Sequence, residues 1–426
     1  MMPTALAAQD NGGVLLRLNL SGQVEHDDGE NNLRSDIGLN LSSITRNQSF
    51  RLGLSSGFEG ELSDGFDAEV EDPRVTLAYS LENRDTALSF NLAFQRSDID
   101  DLTVTDTLTD TALVVEDGER QDSSAGFQLE LGRENPFGAT ISLAYSETEY
   151  QDLSTPTTAL QDSERVSGDL TLRFNLNQTA TLFTRLSLSD LDRDQGNDIR
   201  REALSASLDV ELREDLTATA DLGYTSVITD GATSRVERDG IFYGLSLVAD
   251  RPNGTLSGLL DSDITENGRR TTLQVNRLYE LPNGSLSASV GASRNSETNS
   301  TDPLYSFGYI QALPRGQFNL DFSQSFSTTT AGLETLDSRL SVGLQQELST
   351  VASLEADLTF RDSNQLNNIG LDTNQLDLSL TYAHALTDQW DLFGGVSHTR
   401  REQEGGTRTS DDLLFIGLRT ALEWRP

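Results

Sequence analysis

The chain contains no cysteine and no lysine among its 426 residues. Without cysteine there is no disulfide framework, no thiolate nucleophile and no cysteine metal site. All 31 basic residues are arginine, whose planar fork suits lipid phosphates as well as carboxylates; codon bias alone also yields such a composition. Histidine is scarce, at His26, His384 and His398 only. No phosphate-binding glycine loop and no His/Glu metal spacing occurs. Apolar residues make up only 35% of the chain. No apolar run approaches the roughly 18 residues of a membrane helix. A chain this long would ordinarily form two or three soluble domains, but so few apolar residues would give them a thin core. Positive charge is also in deficit: the net charge of −37 excludes nucleic acid as a natural partner, because phosphate is repelled.

What the chain does have is a period-two alternation that restarts about every twenty residues from Gly13 to Trp424. Leu16, Leu18, Leu20 and Val24 share one parity, while Arg17, Asn19, Ser21 and Gln23 share the other. The last stretch repeats the device with Leu414, Ile416, Leu418, Thr420, Leu422 and Trp424. Successive side chains on a strand point to opposite faces, so each stretch has one apolar and one polar face. Segments of about ten residues with this dyad, separated by turns, mark a transmembrane β-barrel with polar residues inside. The reading is all-β: an antiparallel up-and-down barrel of about 22 strands, within a range of about 18–24. The row around Leu256 is the weakest of these strands.

Short connections such as 45–47, 83–85, 177–178 and 214–215 alternate with long acidic ones such as 59–72, 96–122, 147–164 and 361–373. Outer-membrane barrels have short periplasmic turns and longer external loops, which puts both termini in the periplasm. Pro252-Asn253-Gly254 and Pro282-Asn283-Gly284 are hairpin signals, and lipid-facing parity flips across both, as a two-residue loop requires. Parity does not flip across Glu214-Asp215, which predicts an odd loop and sets Asp209 nearly opposite Asp221. Tyr279, Tyr382, Trp390 and Trp424 sit near strand ends, where an aromatic girdle meets the lipid interface. Residues 1–12 read as a signal-peptide remnant or periplasmic leader, with Ala5-Leu6-Ala7 as a small-residue cleavage region. Residues 13–426 read as one barrel without a separate plug domain.

Nearly everything after Gly13 resembles bacterial outer-membrane β-barrel proteins of the porin-like kind, some of them associated with exopolysaccharide systems. Such proteins commonly end with an aromatic that the barrel-assembly machinery reads; here Arg425 and Pro426 follow Trp424. The resemblance implies bacterial outer-membrane localisation and contact with outer-membrane lipid, lipopolysaccharide and the assembly machinery.

The expected function is a porin-like channel for small hydrophilic solutes, neutral or cationic. The alternatives are an exopolysaccharide conduit or a sleeve around a partner such as a plug protein. The expected pore lining includes Glu130, Asp169, Arg173, Arg185, Asp209, Asp221, Asp321, Asp357 and Asp377, an acidic wall that favours cations. Asp190, Asp192 and Asp194 are spaced like calcium ligands, but the glycine comes one position late and Arg201 stands where the twelfth-position glutamate belongs. Arg200-Arg201, Arg269-Arg270 and Arg400-Arg401 are placed to grip lipopolysaccharide phosphates or to pair with local carboxylates. Catalysis is not expected: Ser397 and His398 are neighbours and face opposite sides of a strand. No cofactor is expected.

Overall fold

The computed structural model describes residues 13–27, 30–61, 69–98, 103–106, 111–114, 118–152, 161–194, 196–231, 234–297, 299–328, 334–366, 372–403 and 408–425. The leader and the tips of several long loops, Leu108 and Val115 included, lie outside the described residues. Strands come in chain order as β1 (Gly13–Asp27), β2 (Glu30–Ile44), β3 (Gln48–Glu61), β4 (Glu69–Glu82), β5 (Thr86–Asp98), β6 (Thr103–Asp106), β7 (Thr111–Val114) and β8 (Glu119–Leu131). Next are β9 (Phe137–Gln151), β10 (Ser163–Asn175), β11 (Ala180–Arg193), β12 (Asp198–Arg213), β13 (Leu216–Asp230), β14 (Arg235–Arg251), β15 (Gly254–Thr265) and β16 (Gly268–Leu281). The last are β17 (Gly284–Asn295), β18 (Thr301–Leu313), β19 (Gly316–Thr328), β20 (Glu334–Glu347), β21 (Ala352–Gln365), β22 (Thr373–Ala385), β23 (Trp390–Gln403) and β24 (Arg408–Trp424).

Twenty-two of these form one antiparallel sheet, each strand pairing with its chain neighbour, and β6–β7 form a separate hairpin between β5 and β8. The sheet closes: β1 pairs with β24, Leu18 opposite Leu422 and Gly22 opposite Leu418. Closure leaves no sheet edge, so each backbone N–H and C=O of the wall finds a partner without water.

Only six apolar residues of the described chain are fully buried, Val227 and Leu191 most completely. The described residues form no conventional core. The apolar rows instead face outward and exposed, as at Leu222 (60%), Ile416 (58%) and Val290 (57%). Lipid is the solvent of that face. The strands of the wall, 12 to 17 residues long, exceed the roughly 9–11 that a tilted membrane strand needs. The surplus lies on the long-loop side, because Tyr279, Trp390 and Trp424 stand on outward rows next to the short turns. These three and Tyr382 are 38–61% exposed, as girdle residues should be.

Three sequence expectations are corrected. The strand at Leu256 is as regular as its neighbours, pairing from Gly254 to Ser262 with β14 and to Gly268 with β16. The β12–β13 connection has two residues, not an odd number; parity is kept by a register shift between Glu211 and Arg213, a β-bulge at Leu212. Asp209 faces Thr219 and Asp221 faces Ser207, so the two carboxylates are diagonal neighbours, one rung from direct opposition. The long connection from Arg96 to Asp122 is largely structured: β5 and β8 pair as far as Asp98 and Glu119, and β7 of the inserted hairpin comes close to β22 on a distant part of the wall.

Candidate functional site

The inward rows carry the polar chemistry. Glu130, Asp169, Arg173, Arg185, Asp209, Asp221, Asp321, Asp357 and Asp377 all stand on the parity opposite the lipid-facing residues of their strands. They do not form one site. Arg173 is a clamp on the β8–β9 turn, donating to the carbonyls of Gly132, Arg133 and Asn135 at 2.7, 2.8 and 3.1 Å. Glu130 pairs with Arg133 at 3.3 Å beside that turn. Asp377 accepts from Gln375 at 3.0 Å.

Asp169, Arg185 and Asp221 do converge. They line a recess of about 800 Å³ in the luminal wall between β10 and β15, together with Arg201, Asp261, Phe183 and Phe242. Arg185 donates to Asp169 at 3.1 Å across the β10–β11 pair. Arg201 of β12 reaches past β13 and β14 to both oxygens of Asp263 on β15, at 2.8 and 2.6 Å. Such a span is open only to side chains converging on the concave face of a closed wall. Both guanidiniums are thus already matched by a carboxylate.

Asp221 and Asp261 remain. They flank Gly244 in a cross-strand row, Asp221–Gly244–Asp261. A Cβ on Gly244 would come within 3.3 Å of Asp221 and 3.5 Å of Asp261, so the glycine leaves a notch between two carboxylates. Neither has a hydrogen-bond or ion-pair partner among the described residues. Phe242 closes one side by lying over Gly223, where a Cβ would sit 2.3 Å from the ring. The recess therefore offers two aromatic rings, a row of serines and surplus negative charge.

A second acidic group lies at the outer end of β2–β4. Arg34 is within 3.9 Å of Asp36, Glu59, Glu71 and Asp72, one guanidinium among four carboxylates. Neither Arg34 nor the Asp261–Asp263 pair was singled out from sequence. The signal was present as inward parity, but the weak row at Leu256 concealed Asp261.

The calcium expectation is corrected. Asp190 and Asp192 stand on the outward face of β11, which runs to Arg193, so they are strand rungs rather than a loop. Gln195 lies outside the described residues, and no group of three or more acidic or histidine ligands could hold a metal among the described residues. The double arginines are split by the strand period. Arg200 and Arg400 face outward and pair with Glu202 and Glu402 at 2.7 and 2.8 Å, while Arg201 and Arg270 face the lumen. His398 meets Asp412 at 2.7 Å on the outer face, away from Ser397.

No family model and no curated protein matches this sequence. Solved structures do match the fold. A mutant form of the ferric enterobactin receptor PfeA of Pseudomonas aeruginosa, in complex with enterobactin, superposes with a TM-score of 0.61 at 11% identity, over 97% of this chain and 82% of that one. The siderophore receptor PirA of Acinetobacter baumannii gives 0.61 at 7% identity, over 97% and 81%. The ferric-catecholate import receptor Fiu of E. coli K12 gives 0.60 at 8% identity, over 97% and 82%. The chain is a 22-strand bacterial outer-membrane β-barrel of the architecture found in siderophore receptors. The porin-like channel and the polysaccharide conduit are thereby corrected: the barrels it superposes on are receptors for specific ligands, not passive pores or export tubes. Alternation alone reports lipid outside and water inside, which all these classes share.

Proposed function

We propose that the chain forms the barrel of an outer-membrane import receptor that takes up a specific ligand of neutral or cationic surface. Twenty-two-stranded outer-membrane transporters have a plugged lumen, since so wide a ring is not filled by its own side chains. A plug, in this chain or beside it, converts such a ring from a hole into a selective gate. The observation that carries the reading is the luminal recess, where Arg185 and Arg201 are neutralised and Asp221 and Asp261 are left over. Specific recognition uses a concave site with a few placed polar groups among apolar ones, which the two phenylalanines and the aspartates supply. Its role is carriage, not catalysis.

The neighbours' ligand class sets the comparison. A ferric tris-catecholate is anionic, and an acidic recess in a chain of net charge −37 repels it. The test is calorimetry of the detergent-purified protein against two iron chelates of opposite charge, an anionic tris-catecholate and a cationic trihydroxamate bearing a free ammonium. The cationic chelate should bind at least about tenfold more tightly, a difference of about 1.4 kcal/mol. Equal binding, or preference for the catecholate, would overturn the assignment of ligand charge. A steady, unselective conductance through the protein isolated with its plug would overturn the receptor reading itself.

A further inference from the structure

On the outer wall, opposite in character to the lumen, a groove of about 530 Å³ runs across β22, β23, β24 and β1. It straddles the seam where the first strand meets the last. Gly394 creates it: on the lipid-facing row of β23 a glycine stands between Leu392 and Val396, level with Tyr382 on one side and Ile416 on the other. The walls are Val24, Leu392, Leu414 and Ile416, and almost nothing polar lines the interior. Leu414 and Ile416 are the outermost apolar rungs of β24, so on that strand the groove reaches the upper edge of the apolar band.

The rungs directly above it change character. Val396 opposite Leu414 is followed by His398 opposite Asp412, then Arg400 opposite Ser410, then Glu402 opposite Arg408. All stand on the outward parity. Each rung adds about 7 Å, so the basic groups lie within about 7–20 Å of the groove's upper end. Three basic side chains face two carboxylates there. Arg408 is exposed, and no hydrogen bond or ion pair joins it to another described residue. In a chain with 68 acidic and 31 basic residues, a lipid-facing patch in which two arginines and a histidine meet only two carboxylates runs against the average.

We infer that this seam is a binding site for one lipopolysaccharide molecule of the outer leaflet, with an acyl chain in the Gly394 groove and a phosphate held by His398, Arg400 and Arg408. The groove is continuous with the lipid-facing band, so an acyl chain reaches it without crossing a polar boundary. Guanidinium forks match phosphate geometry and bind it bidentately. A lipid seated there lies across the β24–β1 closure and adds apolar contact where the ring was last joined. The phosphate competes with Asp412 and Glu402 for the same basic groups, so occupancy loosens two exposed pairs that cost little to break.

The experiment is native mass spectrometry of the full chain extracted in mild detergent, before and after delipidation and add-back of purified lipopolysaccharide or phosphatidylglycerol. The wild type should carry one glycolipid and regain it from lipopolysaccharide in preference to phosphatidylglycerol. Two independent variants should lower that occupancy at least about tenfold: His398→Ala with Arg400→Gln and Arg408→Gln, which strips the cap, and Ile416→Trp, which fills the groove from its exposed face. Leu222→Trp, on an equally exposed outward position elsewhere, should leave it unchanged. Heat-modifiable gel migration reports ring closure for each variant; should one fail to close, the other decides. Equal occupancy in wild type and the closed variants overturns the inference. Retention of phosphatidylglycerol in place of the glycolipid overturns it as well, by assigning the groove to phospholipid.

Discussion

At the scale of single residues the decisive contrast is between paired and leftover charge. Arg185–Asp169 and Arg201–Asp263 are local neutral units, 28–59% exposed, and each contributes little to stability, in the range of about 0–1 kcal/mol. Asp221 and Asp261 have no such compensation and face one another across Gly244. Like charges this close destabilise the sheet. Replacing Asp261 by Asn should therefore hold or raise the unfolding free energy in urea, by about 0.5 kcal/mol, while weakening the cationic chelate several-fold. A lowered midpoint with unchanged binding would show that the carboxylate is structural. The trade of stability for function is common where a site keeps an unfavourable charge. Of this site, Asp169, Arg185 and Asp221 were readable from parity, because parity alone decides which face a residue occupies. That Arg201 and Asp263 satisfy one another was not, since the contact skips two strands and depends on the curvature of the closed wall.

Among the elements, the β19–β20 hairpin departs from the regular wall. β18 and β19 stop pairing at Ser306–Ser323, yet β19 and β20 continue to Thr328–Glu334. The freed tip is caught by β16: Arg270 pairs with Glu334 and lies over the Phe326 ring at 3.7 Å. Asn295 of β17 donates to Glu334 at 2.9 Å and to the Asn267 carbonyl at 3.1 Å. Along the wall β16 and β20 are roughly 19 Å apart at about 4.8 Å per strand, so the tip must lean in from the ring for these groups to meet. Glu334 is 3% exposed, and a buried carboxylate stripped of its cation costs about 3–5 kcal/mol. Arg270→Met should release the tip, read as faster amide exchange over residues 324–328 and 334–336 with unchanged exchange in β1–β4. Arg270→Met combined with Glu334→Gln should restore much of the protection, because the stranded charge is gone. Equal exchange in the single variant and the wild type would sink this account of the latch. Sequence patterning shows such a hairpin only as two more alternating strands; the departure from the ring has no period to announce it. The β-bulge at Leu212 was likewise misread as an odd loop, because a bulge and an odd loop preserve parity in the same way.

For the whole molecule, the strand number, the closure of β1 on β24 and the lipid-facing rows were legible, because each follows from a two-residue repeat that lipid enforces on every strand. What the lumen is for was not legible. Lipid contact constrains one face of each strand, and the other face needs only to be wet, so channels, conduits and receptors write the same outward pattern. The net charge acts at this scale too. A negative field focused by low-dielectric walls raises the local concentration of a cationic ligand at the mouth and speeds its capture. Surface charges are screened beyond about 8 Å at physiological ionic strength, whereas groups within the recess are screened less. Raising salt from about 0.05 M to 0.5 M should therefore slow association of the cationic chelate by an order of magnitude and change its dissociation rate much less. Stopped-flow measurement across that range separates the two. If both rates were indifferent to salt, the acidic lumen would have no part in recruiting the ligand, and the two unpaired aspartates would have to act by contact alone.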